Sequence, residues 1–367
     1  MSEWKKYRLG EIASFTTGKL NSNAAITDGR YPFFTCAPAP LYIDVAAFNQ
    51  EAVILAGNNA EGNFAINYYN GEFNAYQRTY VFTARNNLST KFLYYSLSQF
   101  LKDFKVLSRG TATKFLTASI LNSFKLSLPP IAIQQKIADI LSSLDEKIET
   151  NRKINARLEA LAQAIFKSWF IDFEPFGVKM PDNWQTGALS NIAQIIMGQS
   201  PSGESINNQQ EGMIFYQGKS EFGERFPSVK NYTSNITRIA PQNSILLSVR
   251  APVGDVNITL NQCCIGRGIA SINYKDGSNS YLYLLLKSKS DYFDIFDNGG
   301  TVFGSINKKG LEEMPIIIPS SSTIKEFNEI ISPIDKEIER RYNESTRLAS
   351  LRDTLLPKLM SGELIPE

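Results

Sequence analysis

The chain has 367 residues, 43% hydrophobic and 20% charged, with 38 Lys and Arg against 36 Asp and Glu. This balance describes an ordinary folded protein, long enough for two domains of about 150 residues, and it excludes a polybasic tail though not a local basic surface. Histidine is absent, which removes Ser-His-Asp and Cys-His catalysis, His-ligated zinc and every imidazole acid–base role. Cys36, Cys263 and Cys264 form no CxxC pair and no metal-ligand spacing. An odd number in a chain this long predicts reduced thiols and a cytoplasmic protein without a bound metal. The opening residues carry no basic-then-apolar leader, and apolar runs such as residues 316–318 fall far short of the ~20 residues of a membrane span, so no membrane partner is expected.

From the N-terminus, residues 1–128 are rich in Asn, Gly, Ser and aromatics. Runs at 52–55 and 78–82 predict strands, Asn70-Gly71 a turn, and 91–100 a helix. After Pro129-Pro130, which suit a helix start, the positions Leu141, Leu144, Ile148, Asn151, Asn155, Leu158, Ala162, Ile165 and Trp169 alternate steps of three and four. That is the heptad spacing of a coiled-coil seam. A helix over roughly 131–171 would run about 60 Å at ~1.5 Å per residue. Residues 173–319 return to the first texture, with strand-like runs at 244–247 and 315–318, a helix-like stretch at 280–289, and turn signals Asp276-Gly277 and Asn298-Gly299. A second seam follows Pro319: Ile331, Ile334, Ile338, Arg341, Ser345, Leu348, Arg352, Leu355 and Leu359. Pro333 is expected to delay or kink the start of this helix, and Pro357 to disturb its end.

The chain repeats itself. Trp4, Leu9, Ile12, Ala13 and Gly18 recur 180 residues later as Trp184, Leu189, Ile192, Ala193 and Gly198. Gly110-Thr111, Leu121 and Pro129 recur at an offset of 190 as Gly300-Thr301, Leu311 and Pro319. The same offset holds through Leu144-Asp145 and Ile334-Asp335 to Leu161 and Leu351, so the second copy carries ten extra residues net. A collinear series of this kind marks a tandem duplication.

Both seams turn polar at the same place, Asn151/Asn155 in one and Arg341/Ser345 in the other, which can fix register and partner orientation. The expected fold class is α+β (mixed α/β). Two similar globular domains are separated by two long antiparallel coiled-coil helices in a pseudo-two-fold repeat. The alternative is two amphipathic helices that each pack on their own domain. Two similar but unlike readers related by a pseudo-dyad suit double-stranded DNA, on which paired readers dock about one helical turn (~34 Å), or a multiple of it, apart.

The run Leu128-Pro-Pro-Ile131-Ala-Ile-Gln-Gln-Lys136-Ile-Ala-Asp-Ile140-Leu-Ser-Ser-Leu-Asp145 resembles the start of the central spacer helix in type I restriction–modification specificity subunits. The continuation to Ala164-Ile-Phe-Lys-Ser-Trp-Phe170, the Trp4 and Trp184 openings, and Leu247-Ser-Val-Arg250-Ala-Pro-Val-Gly254 with Gly266-Arg-Gly268 fit the same pattern. The resemblance covers essentially the whole chain. It implies a target recognition domain at 1–128, a spacer helix at 129–172, a second target recognition domain at 173–319, and a second spacer helix with a tail at 320–367. It further implies a non-catalytic chain that reads a bipartite DNA site and docks two methyltransferase subunits, with restriction subunits joining them. No cofactor is expected on this chain; S-adenosylmethionine, ATP and Mg belong to the partner subunits. The sequence holds no GxxxxGK[ST] loop, no Asn/Asp-Pro-Pro-aromatic motif and no strand–GxG–helix turn. The second helix entry, Pro319-Ser-Ser-Ser-Thr323, departs from the Pro-Pro form.

Residues 1–128 carry 13 basic and 8 acidic side chains, residues 173–319 carry 12 and 13, and the helical parts are balanced or slightly acidic. Phosphate neutralisation dominates non-specific DNA affinity, so partner subunits are expected to supply much of the backbone grip. Base reading needs amides, hydroxyls and guanidinium forks instead. Residues 52–64 and 244–256 align at an offset of 192 and share a Gly62/Gly254 turn, placing Asn58 and Asn59 opposite Arg250. Asn pairs bidentately with adenine and Arg with guanine. Further candidates are Gln77 and Arg78, Gln217 and Lys219, Arg267 between two glycines, Thr113 and Lys114 in one loop, and Thr301 and Ser305 in its counterpart. Each of these also has a plain reading as a solvated loop. The helix-pairing seam is taken as Leu141, Leu144, Ile148, Leu158 and Ile165 against Ile331, Ile334, Ile338, Leu348 and Leu355. Trp4 and Trp184 are expected as core anchors. Rival functions are a DNA-recognition subunit of another restriction–modification type, a modifying enzyme, and a protein-binding scaffold.

Overall fold

The computed structural model describes residues 4–85, 87–297 and 304–366. It divides into two compact units, residues 1–152 with 343–367 and residues 153–342. Each joins one mixed α/β domain to two helical segments. The long helices are Ile131–Phe170 and Ser321–Ser361, and each contributes to both units.

In the first unit, Leu9 and Ile12 of a one-turn helix plug the core, and a six-stranded sheet carries the central strand Phe48–Ala56. That strand pairs antiparallel with Ile66–Ala75 on one side and Thr79–Ala84 on the other. Residues 52–56 are all buried, the continuous apolar run expected of a strand covered on both faces. Helix Thr90–Gln99 lies against the sheet, its start capped by Ser89 Oγ accepting from the Phe92 N–H at 3.3 Å. The core then runs on into Ile137, Ala138 and Leu141 of the first long helix and Leu359 and Met360 of the second. Strands Lys5–Arg8 and Lys125–Leu128 pair antiparallel, bringing the two ends of the domain together.

The second unit repeats this plan, and its strand registers carry the sequence offsets. Ala13 faces Ala84 in the first unit as Ala193 faces Tyr274 in the second; Lys5 faces Leu128 as Gln185 faces Ile318. The parallel pair Phe33–Asn74 corresponds to Phe215–Cys264, and Val53–Phe82 to Ile245–Ile272. The offset is thus 180 at the first strand, 182 at the next, 192 in the central strand and 190 thereafter. Ten residues are therefore inserted between Tyr216 and Ile245, and two are lost between Ser248 and Val256. At the constant offset of 190 that follows, the single strand Ile66–Ala75 becomes two, Val256–Ile258 and Cys263–Ile265.

Three local expectations meet a different structure. Asn70-Gly71 makes no reversal: both lie inside strand Ile66–Ala75, opposite Glu51 and Gln50, because pairing with the long central strand outweighs the local turn preference. Asp276-Gly277 does turn, whereas Asn298-Gly299 lies outside the described residues. The second long helix starts at Ser321, with Ser320 Oγ accepting from the Thr323 N–H at 3.2 Å, and continues through Pro333 and Pro357. Pro333 and Glu329 sit on the exposed face, where the missing backbone donor costs least, while Phe327 and Ile331 hold the opposite face in the core.

Within each unit the helical segments run antiparallel. In the first, Asp145 meets Arg352 at 2.6 Å, and Asn151 Nδ2 donates to Glu344 Oε2 at 2.9 Å and to Ser345 Oγ at 3.3 Å. Leu141 is buried there, and Leu144, Ile148, Leu348 and Leu355 are half-buried. In the second, Asn155 Nδ2 donates to the Ile338 carbonyl at 3.1 Å, and Phe327 packs edge-on against Phe166 and Phe170. Ile331 and Ile338 are buried there, and Leu158, Ile165 and Ile334 are half-buried. The helices thus pair with each other and also cover their own domains. Trp184 is buried in the second core, tilted against Phe170 and edge-on to Phe176. Trp4 is half-buried against Phe92. Trp169 and Phe170, at the end of the first helix, join the same aromatic cluster as Trp184.

Candidate nucleic-acid interface

Leaving its buried part, the central strand of each domain passes into a short segment, half-buried at Asn58 and Asn59 and exposed at Arg250, held by one distant loop. In the first unit Asn58 and Asn59 pair antiparallel with Phe115 and Lys114. In the second, Arg250 pairs with Ser305, and the Ala251 N–H donates to the Gly304 carbonyl at 2.9 Å. The flanking bonds match as well: Leu116 N–H to Gly57 carbonyl (2.8 Å) corresponds to Ile306 N–H to Val249 carbonyl (3.1 Å). Gly57 N–H to Arg78 carbonyl (2.8 Å) corresponds to Val249 N–H to Gly268 carbonyl (2.9 Å), so Gln77 and Arg78 match Arg267 and Gly268. Tyr76 N–H to Phe34 carbonyl matches Gly266 N–H to Tyr216 carbonyl, both near 2.9 Å, which sets Thr35 and Cys36 opposite Gln217 and Gly218. Candidates chosen from separated stretches of sequence therefore converge on one place in each unit, on the same backbone frame.

The side chains on that frame differ. In the first unit the Cys36 thiol donates to Asn58 Oδ1 at 2.7 Å, which commits the amide oxygen and leaves Nδ2 as a donor. Asn59 Oδ1 accepts from the Glu61 and Asn63 N–H groups at 2.9 and 3.0 Å, so its carbonyl builds the turn at Gly62. Lys114 is half-buried beside Gly62, and Lys105 Nζ donates to Asn63 Oδ1 at 3.0 Å. Gln77 Nε2 donates to Asn21 Oδ1 at 2.6 Å. Arg78, Arg109 and Thr113 are exposed. The result is an amide-bearing lip ringed by Arg78, Lys105, Arg109 and Lys114.

In the second unit Arg250 is exposed, its backbone fixed by the Ser305 pairing. Gln217 and Arg267 share Ser200: Gln217 Nε2 donates to its Oγ at 3.1 Å, and Arg267 contributes N–H and Nε at 3.3 and 3.4 Å. Gly266 and Gly268 let this loop reach the Gln217 backbone, since a Cβ at Gly268 would stand 2.7 Å from the Gln217 carbonyl oxygen. Lys219 is spent on Asp255, at 2.5 Å. Thr301 lies outside the described residues; Ser305 is exposed next to Arg250.

Cys36, Ser200 and Lys105 escaped the reading of the sequence, whereas Arg109 opens the loop it singles out. A signal existed for Lys105, because Lys102, Lys105, Arg109 and Lys114 are crowded into thirteen residues. Cys36 and Ser200 act by contacts that no local pattern announces. Among the described residues no group of three or more Cys, Asp or Glu is placed to hold a metal ion, and no helix is long and apolar enough to cross a membrane. Cys263 is buried, which pushes its thiol up to about 12 and makes it unreactive.

Comparison with known proteins accounts for this doubled arrangement. The type I restriction modification DNA specificity domain matches residues 1–160 and again residues 181–346, one match per repeat. A Methanocaldococcus jannaschii chain assigned as the MjaX type I restriction enzyme specificity subunit is 32% identical over 298 residues, 76% of this chain and 69% of that one. The EcoDI specificity subunit of Escherichia coli is 29% identical over 99% of this chain and 89% of its own length. The crystal structure of a type I restriction–modification S subunit from M. genitalium shares the fold over all of this chain and 97% of its own, with a TM-score of 0.66 at 16% identity. With the domain matched twice, the relatives collinear and the fold shared from end to end, this chain belongs to the type I restriction–modification specificity subunits.

Proposed function

We propose that the chain reads a bipartite, asymmetric DNA site, one half by residues 1–128 and the other by residues 173–319. The 129–172 and 320–367 helices set the gap between the halves and dock two methyltransferase subunits, which restriction subunits join. In this reading the chain performs no chemistry itself. S-adenosylmethionine is held by the methyltransferase, and ATP and Mg by the restriction subunits.

The observation that carries the reading is the pair of matched lips. One backbone frame presents Asn58, Asn59, Gln77 and Lys114 in the first repeat and Arg250, Ala251, Arg267 and Gly304 in the second. The first set offers the Asn58 Nδ2 donor and the Gln77 Oε1 acceptor, with Asn59 shaping the turn beside them, and the second offers guanidinium forks, so the two favour different base edges. Arg78, Arg109, Thr113 and Ser305 stand at the rims, suited to backbone phosphates or base edges. Methylome sequencing of a host that expresses this chain with its methyltransferase tests the reading. A split, asymmetric methylated motif is expected. Exchange of residues 1–128 for another reader should change one half only, and adding a heptad to both helices should change the gap while leaving both halves intact. A continuous motif, or no methylation, would refute it.

A further inference from the structure

The longer loop after Tyr216, eight residues longer than its match in the first repeat, carries an ionic lock that no described residue of the first repeat reproduces. Arg225, in the loop after Tyr216, is 5% exposed. Its Nη1 donates to Glu159 on the first long helix and its Nη2 to Asp335 on the second, both at 2.5 Å. The Tyr283 ring lies 4.4 Å beneath the guanidinium, and Ser280 Oγ donates to the other oxygen of Asp335 at 2.5 Å. The neighbouring Phe226 packs on Tyr342, ring centroids 4.7 Å apart. One side chain from the recognition domain thus spans both helices of its unit.

In the first repeat the residue matching Asp335 is Asp145. Its cation is Arg352, supplied by the other helix; among the described residues the recognition domain reaches it through the neutral Tyr95 hydroxyl at 2.6 Å, and its one cation on this helix is Lys91, in an exposed pair with Glu146 at 3.4 Å. The difference is physical. Apolar contacts such as Ile324, Phe327 and Tyr281 are non-directional and tolerate small slides. A buried guanidinium fork is directional, and any slide that parts it from a carboxylate leaves a desolvated charge unpaired.

We infer that Arg225 is a positioning residue: it fixes where the second recognition domain stands on its helix pair and so holds the gap between half-sites to one length. This rests on the bipartite reading above. The test uses the chain assembled with its methyltransferase and duplexes carrying both wild-type half-sites at the wild-type gap, one base pair shorter, and one longer. The variants are Arg225→Met and, because lone carboxylates can unfold the unit, the charge-free set Arg225→Met with Glu159→Gln and Asp335→Asn. The expected result is about a tenfold loss of preference for the native gap, with the base preferences of both halves unchanged and Arg225→Lys intermediate. A folded charge-free variant that discriminates gaps as the wild type does would overturn the inference while leaving the bipartite reading standing. A wild type without a split motif would remove both.

Discussion

Replacing Arg250 by alanine separates reading from folding. The side chain is exposed and its backbone is held from both sides, by the Ala251–Gly304 bond at 2.9 Å and the Ile306–Val249 bond at 3.1 Å. Neither bond involves the side chain, so the substitution should change stability by no more than about 0.5 kcal/mol. A guanidinium fork on a base contributes about 1–3 kcal/mol of discrimination, which corresponds to roughly 5–150-fold between right and wrong bases. Binding of the assembled complex should be measured on duplexes carrying each base in turn across the second half-site, at two salt concentrations, alongside a urea melt. One position should become permissive while the others hold. The salt dependence separates the alternatives: loss of a base contact leaves the slope of log K on log salt nearly unchanged, whereas loss of a phosphate contact lowers it by about 0.9. Uniform weakening across all sequences with a reduced slope, or a stability loss above about 1 kcal/mol, would refute the assignment.

Other outcomes follow from the same contacts. Asn59→Ala removes the acceptor for the Glu61 and Asn63 N–H groups and should cost about 1 kcal/mol in a denaturant melt, with the base preference of the first half-site kept. Phe327→Ala empties a site that is 0% exposed and touches the rings of Phe166, Trp169, Phe170 and Tyr281, so about 3–5 kcal/mol should be lost, read by the fluorescence of Trp169 and Trp184. Native-state alkylation at pH 8 should modify Cys36 alone, because Cys263 and Cys264 are buried and the Cys263 thiol is pushed up to about 12. Mass spectrometry finding Cys263 labelled as fast as Cys36 would contradict the described core.

Much of the fold was legible because it is written twice. The Trp, Leu and Ile of each opening fill the same core positions, and the three-four spacing at Leu141 to Trp169 answers to a helix face that no strand offers. The offset of 192 sets Asn58 against Arg250 in the sequence itself, since the strands leading to them are continuous apolar runs that tolerate no slip. Other features stayed hidden for physical reasons. The Arg225 lock joins residues 66 and 110 positions apart and lies in an insertion, where comparison between repeats has nothing to compare. The Cys36–Asn58 contact depends on a parallel strand pair, a long-range arrangement that no local period encodes. Asn70-Gly71 and Pro333 misled because each local preference is worth only about 1–3 kcal/mol, less than the strand ladder and the core face that override them. Thr113 and Ser305 were chosen for their loops, and the loops matter chiefly because their backbones clamp the reading segment.

The strand pairs Lys5–Arg8 with Lys125–Leu128, and Gln185–Ala188 with Pro315–Ile318, zip the entrance of each domain to its exit. Everything enclosed by such a zipper can be exchanged as a cassette, because the flanking chain meets the same two neighbouring ends whatever lies between them. Ten extra residues have already been accommodated inside one cassette without disturbing its zipper. A genome that recombines at these borders would gain a new half-specificity in one step and leave the assembly's helices as they were.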